Sequence, residues 1–206
     1  MKKTPWASFT EEKIKKIFTE KKHIIDIGGG LRIIKEKNNR YEPNNEWIRP
    51  YLKNVDYKIL DPVDTFHPDI VGDIHNLPFE SNSIEAFFCI AVLEHVENPI
   101  LASQEMYRTL EKNGYCFVYV PFLYYYHAEK GYYGDFWRFT PDSIRYMFRD
   151  FEYIEIMPVR GAIETLCRLT PFGRYSFFNK LAYFLDYITK KSNSKQVSGY
   201  YVFLQK

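Results

Sequence analysis

Apolar positions along this chain recur with two periods in turn, one helical and one of short continuous runs. Ile14, Ile17 and Phe18 recur at helical spacing behind Ser8 and Glu11, a capping-box pair, so residues 9–21 are predicted as an amphipathic helix. His23 to Ile27 is a short apolar run closed by a glycine triplet, the pattern of a buried strand feeding a tight turn. Between 31 and 55, Pro43, Pro50 and five Asn interrupt what would be a first crossover helix. Tyr57 to Leu60, Asp69 to Val71 and Ile84 to Val92 read as strands. Pro99 opens a helix whose apolar face carries Ile100, Leu101, Met106, Tyr107 and Leu110, with Asn113-Gly114 as its expected stop. Tyr115 to Val120, Tyr153 to Met157 and Gly199 to Leu204 are further strands, and Thr140-Pro141-Asp142 starts a helix that runs through Phe148. Alternating strands and helices predict an α/β, Rossmann-like, mostly parallel sheet with helices on both faces. The last strand is expected to be antiparallel, and the whole of 1–206 to form a single domain.

Composition narrows the partners. Basic and acidic residues nearly balance, 28 against 26, so no global field favours a polyanion and nucleic acid is disfavoured as a partner. The three cysteines, Cys89, Cys116 and Cys167, are widely spaced among apolar neighbours, which reads as reduced core thiols; no disulfide frame and no metal site is assigned. No secretory signal and no run of eighteen apolar residues occurs, so the expected location is the cytoplasm, with attachment to the inner face of the membrane left open. Aromatic residues reach 18%, and only their local clustering bears on function.

Ligands of doubly wound sheets sit beyond the carboxyl ends of the strands, so the residues just after the first four strands belong together. Here these are Asp26, Gly28 and Gly30, then Asp61, then Asp73 and Ile74, then Ala91 through Glu94 and His95. Glycines let the backbone approach a ligand, an acid after strand two accepts from ribose hydroxyls, and an acid after strand three accepts from an adenine amino group. Read singly, each has a plainer role: Asp61 as an Asx turn before Pro62, Asp73 as a cap, His95 as a half-buried structural histidine.

In order and spacing, I-I-D-I-G-G-G at 24–30, D-I-V-G-D-I-H-N-L-P-F at 69–79, A-V-L-E-H-V at 91–96 and R-T-L-E-K-N-G-Y at 108–115 resemble the class I S-adenosylmethionine-dependent methyltransferases, more narrowly the methyltransferase type 11 group. The resemblance covers about residues 22–157 and the terminal strand. It implies S-adenosylmethionine as cofactor, with Asp26, Gly28 and Gly30 around its methionine part, Asp61 at the ribose, Asp73 and Ile74 at the adenine, and Ala91, Glu94 and His95 near the sulfonium. Two departures stand out: Arg32 replaces the third motif glycine, and Asp61 lies 31 residues beyond Gly30.

Methyl transfer to a hydroxyl needs positioning and a base. Residues 121–141 hold His127, Asp135 and Arg138 among nine aromatic residues, and this stretch is similar to sequences of bacterial glycan and surface-polysaccharide pathways. The resulting expectation is an enzyme that O-methylates a sugar, glycan or other small hydroxylated acceptor. His127 is the candidate base, oriented by Asp135 and assisted by His95, while Tyr126, Trp137 and Arg138 would bind the acceptor. The plainer alternative has the aromatics packing the loop and Asp135 pairing with Arg138. Tyr126 and Lys130 also form a Y-x-x-x-K pair, but Gly28, Gly30 and Ile33 fail the dinucleotide pattern, which disfavours a dehydrogenase. A nucleic-acid methyltransferase lacks its motifs here, and a non-catalytic cofactor-binding subunit stays open.

Residues about 160–195 are an expected helical insertion. Phe177, Phe178, Leu181, Phe184, Leu185 and Ile188 recur at helical spacing, and seven basic residues face only Glu164 and Asp186. Such an element can pack on its own domain, cover the acceptor pocket, form a homodimer surface, or lie on an anionic membrane.

Overall fold

The computed structural model describes residues 3–34 and 41–206. Helix α1 spans Pro5–Glu20, four residues earlier than the Ser8/Glu11 box predicts, because Thr4 accepts from the Ala7 amide and Pro5 gives up an N–H that has no helical partner. It lays Phe9, Ile14, Ile17 and Phe18 on one face of the sheet, against Phe88, Phe117 and Phe203.

Seven strands form that sheet: β1 (His23–Ile27), β2 (Asp56–Asp61), β3 (Ile70–Val71), β4 (Ile84–Ile90), β5 (Leu110–Pro121), β6 (Tyr153–Val159) and β7 (Gly199–Gln205). Their order is β3-β2-β1-β4-β5-β7-β6. The pairs among β1 to β5 are parallel, whereas β7 runs antiparallel to both β5 and β6, between which it lies. The expected architecture and the antiparallel last strand are therefore both present. Alternate residues of β4 feed two cores, Phe87 and Cys89 with α2 (Pro99–Thr109) and α3 (Pro141–Met147), and Ala86 and Phe88 with α1. Burial on both faces is why the strand reads as a continuous apolar run.

Two local readings change, and the expected helical insertion is present. Helix α2 stops at Thr109 and the strand follows at once; Asn113, with φ of 62°, and Gly114 lie in an irregular stretch of β5 where the β4 register jumps from Ile84↔Leu110 to Ala86↔Tyr115. The interrupted crossover is a 3₁₀ segment over Pro43–Asn54 that buries Ile48, with Pro50 inside it; the part of that expectation falling on 35–40 lies outside the described residues. The insertion forms α4 (Ala162–Arg168) and α5 (Ser176–Ile188). Asp186 on α5 caps α4, accepting from the amides of Ile163 and Glu164 at 2.9 Å each.

Packing of the α5 stripe on its own domain does not hold: α5 buries Ala182 and Asp186, while Phe177, Phe178, Leu181, Phe184 and Ile188 face solvent. Among the described residues no helix is long and apolar enough to cross a membrane.

Candidate active site

The ladder register puts the predicted cofactor residues in one row. Ile27 pairs with Leu60 and Cys89, so Gly28, Asp61 and Ile90 follow side by side; the Gly28 amide donates to Leu60 O at 2.7 Å and the Gly72 amide to Asp61 O at 3.1 Å, which brings Asp73 alongside. Next to them Ala91 takes φ of 56°, a left-handed conformation uncommon outside glycine. The loop after β1 lies tight on β4: a Cβ on Gly30 would meet Ile90 Cβ at 2.7 Å and Ile90 O at 2.8 Å, and one on Gly28, at φ of 73°, would meet Val92 Cγ2 at 2.7 Å.

Asp26 is fully buried, and its carboxylate is held by groups of the protein itself. Its carboxylate accepts from the amides of Gly30 at 3.0 Å and Leu31 at 2.9 Å and from the Tyr57 hydroxyl at 2.5 Å. Asp26 thus shapes the glycine loop from below, and burial pushes its pKa up to about 6 against those hydrogen bonds. Tyr57, which no local motif marks, is the residue the sequence reading missed. Asp61 makes the Asx turn to the Val63 amide at 2.9 Å. Asp73 is mostly exposed, holding His75 through its amide at 2.9 Å and its Nδ1 at 2.7 Å. Ile74 turns its side chain into the core, so only its backbone faces the row.

The loops after β4 and β5 close on each other. Phe136 and Trp137 donate their amides to Glu94 O at 2.8 and 3.3 Å, and Trp137 Nε1 donates to Val96 O at 2.9 Å. Glu94 is buried, and its side chain faces His95 and His127: Oε1 lies 3.8 Å from His95 Nε2 and 3.9 Å from His127 Nε2. Burial raises its pKa to about 7 and lowers that of His95, so the histidine tends to the neutral form. The His95 ring also lies tilted against Tyr133, with 4.3 Å between centroids.

His127 and Asp135 do come together. Asp135 Oδ2 accepts the His127 amide at 2.8 Å and lies 3.1 Å from its Nδ1. Arg138 beside Asp135 holds that carboxyl well below the usual range. All five N–H donors of Arg138 are taken: two by Asp135 at 2.5 and 2.8 Å, the others by Tyr124 O, Tyr125 O and Trp137 O. Arg138 therefore builds the loop and has no donor left for an anionic acceptor, contrary to the expectation from its sequence position. Tyr126 and Trp137 are exposed beside the cluster, at 75% and 43%.

Residues 50–118 match the family model described as a methyltransferase domain. No curated protein matches the chain by sequence. Among solved structures, a SAM-dependent methyltransferase from Archaeoglobus fulgidus superposes with a TM-score of 0.61 at 11% identity, covering 97% of this chain and 94% of its own. One from Mesorhizobium loti gives 0.54 at 12% identity over 95% and 96%. A SAM-dependent methyltransferase from Thermotoga maritima, described as a possible histamine N-methyltransferase, gives 0.51 at 16% identity over 96% and 88%. Residues 50–118 are thus similar to a methyltransferase domain, and the chain as a whole shares the Rossmann-like fold of S-adenosylmethionine-dependent methyltransferases.

Proposed function

We propose that the protein moves the methyl group of S-adenosylmethionine to a hydroxyl of a sugar, glycan or other small hydroxylated acceptor. The observation that carries this reading is the Asp135–His127 pair, 3.1 Å apart, held against Glu94 and flanked by exposed Tyr126 and Trp137. Gly28 and Gly30 provide backbone for the methionine part, Asp61 and Asp73 accept from the ribose and the adenine, and Ala91 lines the turn beneath the reacting centre. Bound there, the cofactor supplies an electrophilic methyl group. Nδ1–H of His127 donates to Asp135 and the Tyr125 carbonyl, which keeps the proton on Nδ1 and leaves a lone pair on Nε2 to accept the acceptor's hydroxyl proton. Burial favours the neutral form of the neighbouring His95. Aromatic faces suit sugar rings, and the neutral charge balance favours them over nucleic acid.

The test is mass spectrometry of products from a panel of glycosides and nucleic acids incubated with the protein and S-adenosylmethionine. A single added methyl on a glycoside is expected. Methylation of nucleic acid alone would replace the acceptor class, and cofactor binding with no product from any acceptor would favour a non-catalytic partner subunit.

A second reading concerns place. Arg168, Arg174, Lys180, Lys190, Lys191 and Lys195 are exposed around the solvent-facing α5 stripe, and the insertion's two acids are buried. This surface suits the anionic inner face of a membrane, where a lipid-linked acceptor is presented.

A further inference from the structure

Three lone-pair donors face one another behind the loops after β4 and β5, and proton transfer by His127 needs only one of them. The ligand atoms of Glu94, His95 and His127 all lie within 4.8 Å of one another. At 3.8 and 3.9 Å, neither Nε2 makes a hydrogen bond to Glu94 Oε1. Glu94 Oε2 is buried with no hydrogen-bond partner, and the whole residue is 1% exposed. An orphaned carboxylate oxygen this deep destabilises the fold unless a cation or a donor meets it.

Both imidazoles are tied from behind. His95 Nδ1 lies 2.6 Å from Gly134 O, and His127 Nδ1 lies 3.1 Å from both Asp135 Oδ2 and Tyr125 O. Acceptors at Nδ1 fix the proton there and turn the Nε2 lone pairs toward Glu94. A carbonyl or carboxylate behind each ring is the arrangement that orients metal-ligating histidines.

We propose that Glu94, His95 and His127 bind one divalent first-row transition ion, with Asp135 and the Gly134 carbonyl as positioning groups. Two imidazoles and a carboxylate suit zinc, iron(II), cobalt or nickel better than magnesium or calcium, and three protein ligands leave open positions for an acceptor. Ligand atoms about 2.1 Å from a tetrahedral ion stand about 3.4 Å apart, so the two gaps at Oε1, 3.8 and 3.9 Å, close by a few tenths of an ångström, and the two imidazoles, whose ligand atoms lie within 4.8 Å, swing together by up to about 1.4 Å. The ion's chemical role, unlike its binding, rests on the methyl-transfer reading and replaces the base role of His127, because Nε2 commits its one lone pair to the ion and cannot also take the acceptor's proton. The acceptor's O–H bond breaks under the ion's charge and its proton passes to water. The oxygen then bonds the methyl carbon as the C–S bond breaks, its electron pair staying on sulfur.

The experiment is calorimetric titration of Zn²⁺, and visible absorption on adding Co²⁺, with the chelator-treated 206-residue chain. One ion per chain and a ligand-field spectrum are expected. His127→Ala and Glu94→Gln should abolish both, and Asp135→Asn should weaken binding about 10- to 100-fold. Calorimetry with S-adenosylhomocysteine on the same samples reports folding and the cofactor site separately: a His127→Ala protein that keeps cofactor affinity while losing the ion supports the site. No stoichiometric binding to wild type, or binding undiminished in folded His127→Ala, overturns the proposal whether or not the methyl-transfer reading stands.

Discussion

Replacing Asp26 by Ala separates a residue that shapes the cofactor loop from one that touches the cofactor. The substitution removes one acceptor from three donors: the Gly30 and Leu31 amides and the Tyr57 hydroxyl. A buried donor left unsatisfied loses about 1–3 kcal/mol, partly offset here because the desolvated carboxylate also disappears, so a net destabilisation of about 3 kcal/mol is expected. For a chain of this size that lowers Tm by about 10 °C. The loop then has to be ordered by the ligand itself, and S-adenosylhomocysteine should bind about 10- to 100-fold more weakly, equivalent to about 1.4–2.8 kcal/mol. Tyr57→Phe removes one donor and leaves the loop amides satisfied, so it should lower Tm by only about 3 °C and change affinity little. Thermal unfolding by circular dichroism and calorimetric titration measure both effects. Lost affinity with an unchanged Tm in Asp26→Ala would place the carboxylate on the ligand, and unchanged affinity would remove the glycine loop from the cofactor site.

The remaining expectations are shorter. Gly30→Ala should abolish cofactor binding and lower stability by about 1–3 kcal/mol, and Ile90→Val should not rescue it, since the clash is with Cβ and backbone; recovery in the double variant refutes the packing argument. Because Asp26 has its folded pKa raised from 3.8 to about 6, the native state keeps a proton that the unfolded chain releases, so this group makes stability fall by about 3 kcal/mol as pH rises through that window. Urea midpoints of Asp26→Asn should lack that fall, and parallel pH profiles of variant and wild type count against it. Asp73→Ala should weaken S-adenosylhomocysteine binding about tenfold with Tm unchanged, because its side chain is mostly exposed; a large Tm loss would make it a structural turn residue. The protein should sediment with anionic vesicles at low salt and less at moderate salt, as screening weakens its basic insertion, and Phe177→Ser with Phe184→Ser should reduce that binding. Concentration-dependent dimerisation without vesicle binding would assign the α5 face to a second copy instead.

Local chemistry told most where it is closed within a few residues, and least where the partner is distant in sequence. The glycine triplet, Pro99 and Thr140-Pro141-Asp142 each act over three or four residues, so the strand-one turn and the starts of α2 and α3 were legible in the chain. The row of Gly28, Asp61, Asp73 and Ala91 followed from the rule that strand ends converge, together with motif order. What remained hidden are pairings across the sheet: Tyr57 beneath Asp26 is 31 residues away, and Gly134 behind His95 is 39 residues away. Arg138 illustrates the same limit from the other side. A lone arginine in an aromatic loop reads as an anion binder until its five donors are counted against backbone carbonyls that only the folded loop supplies. The α5 stripe misleads through periodicity itself. Helical spacing of apolar residues says that one face avoids water, not what covers it, and here Asp186 turns the opposite face inward by capping α4. That inversion leaves aromatic side chains outside among lysines and arginines, which is the surface that the vesicle experiment probes.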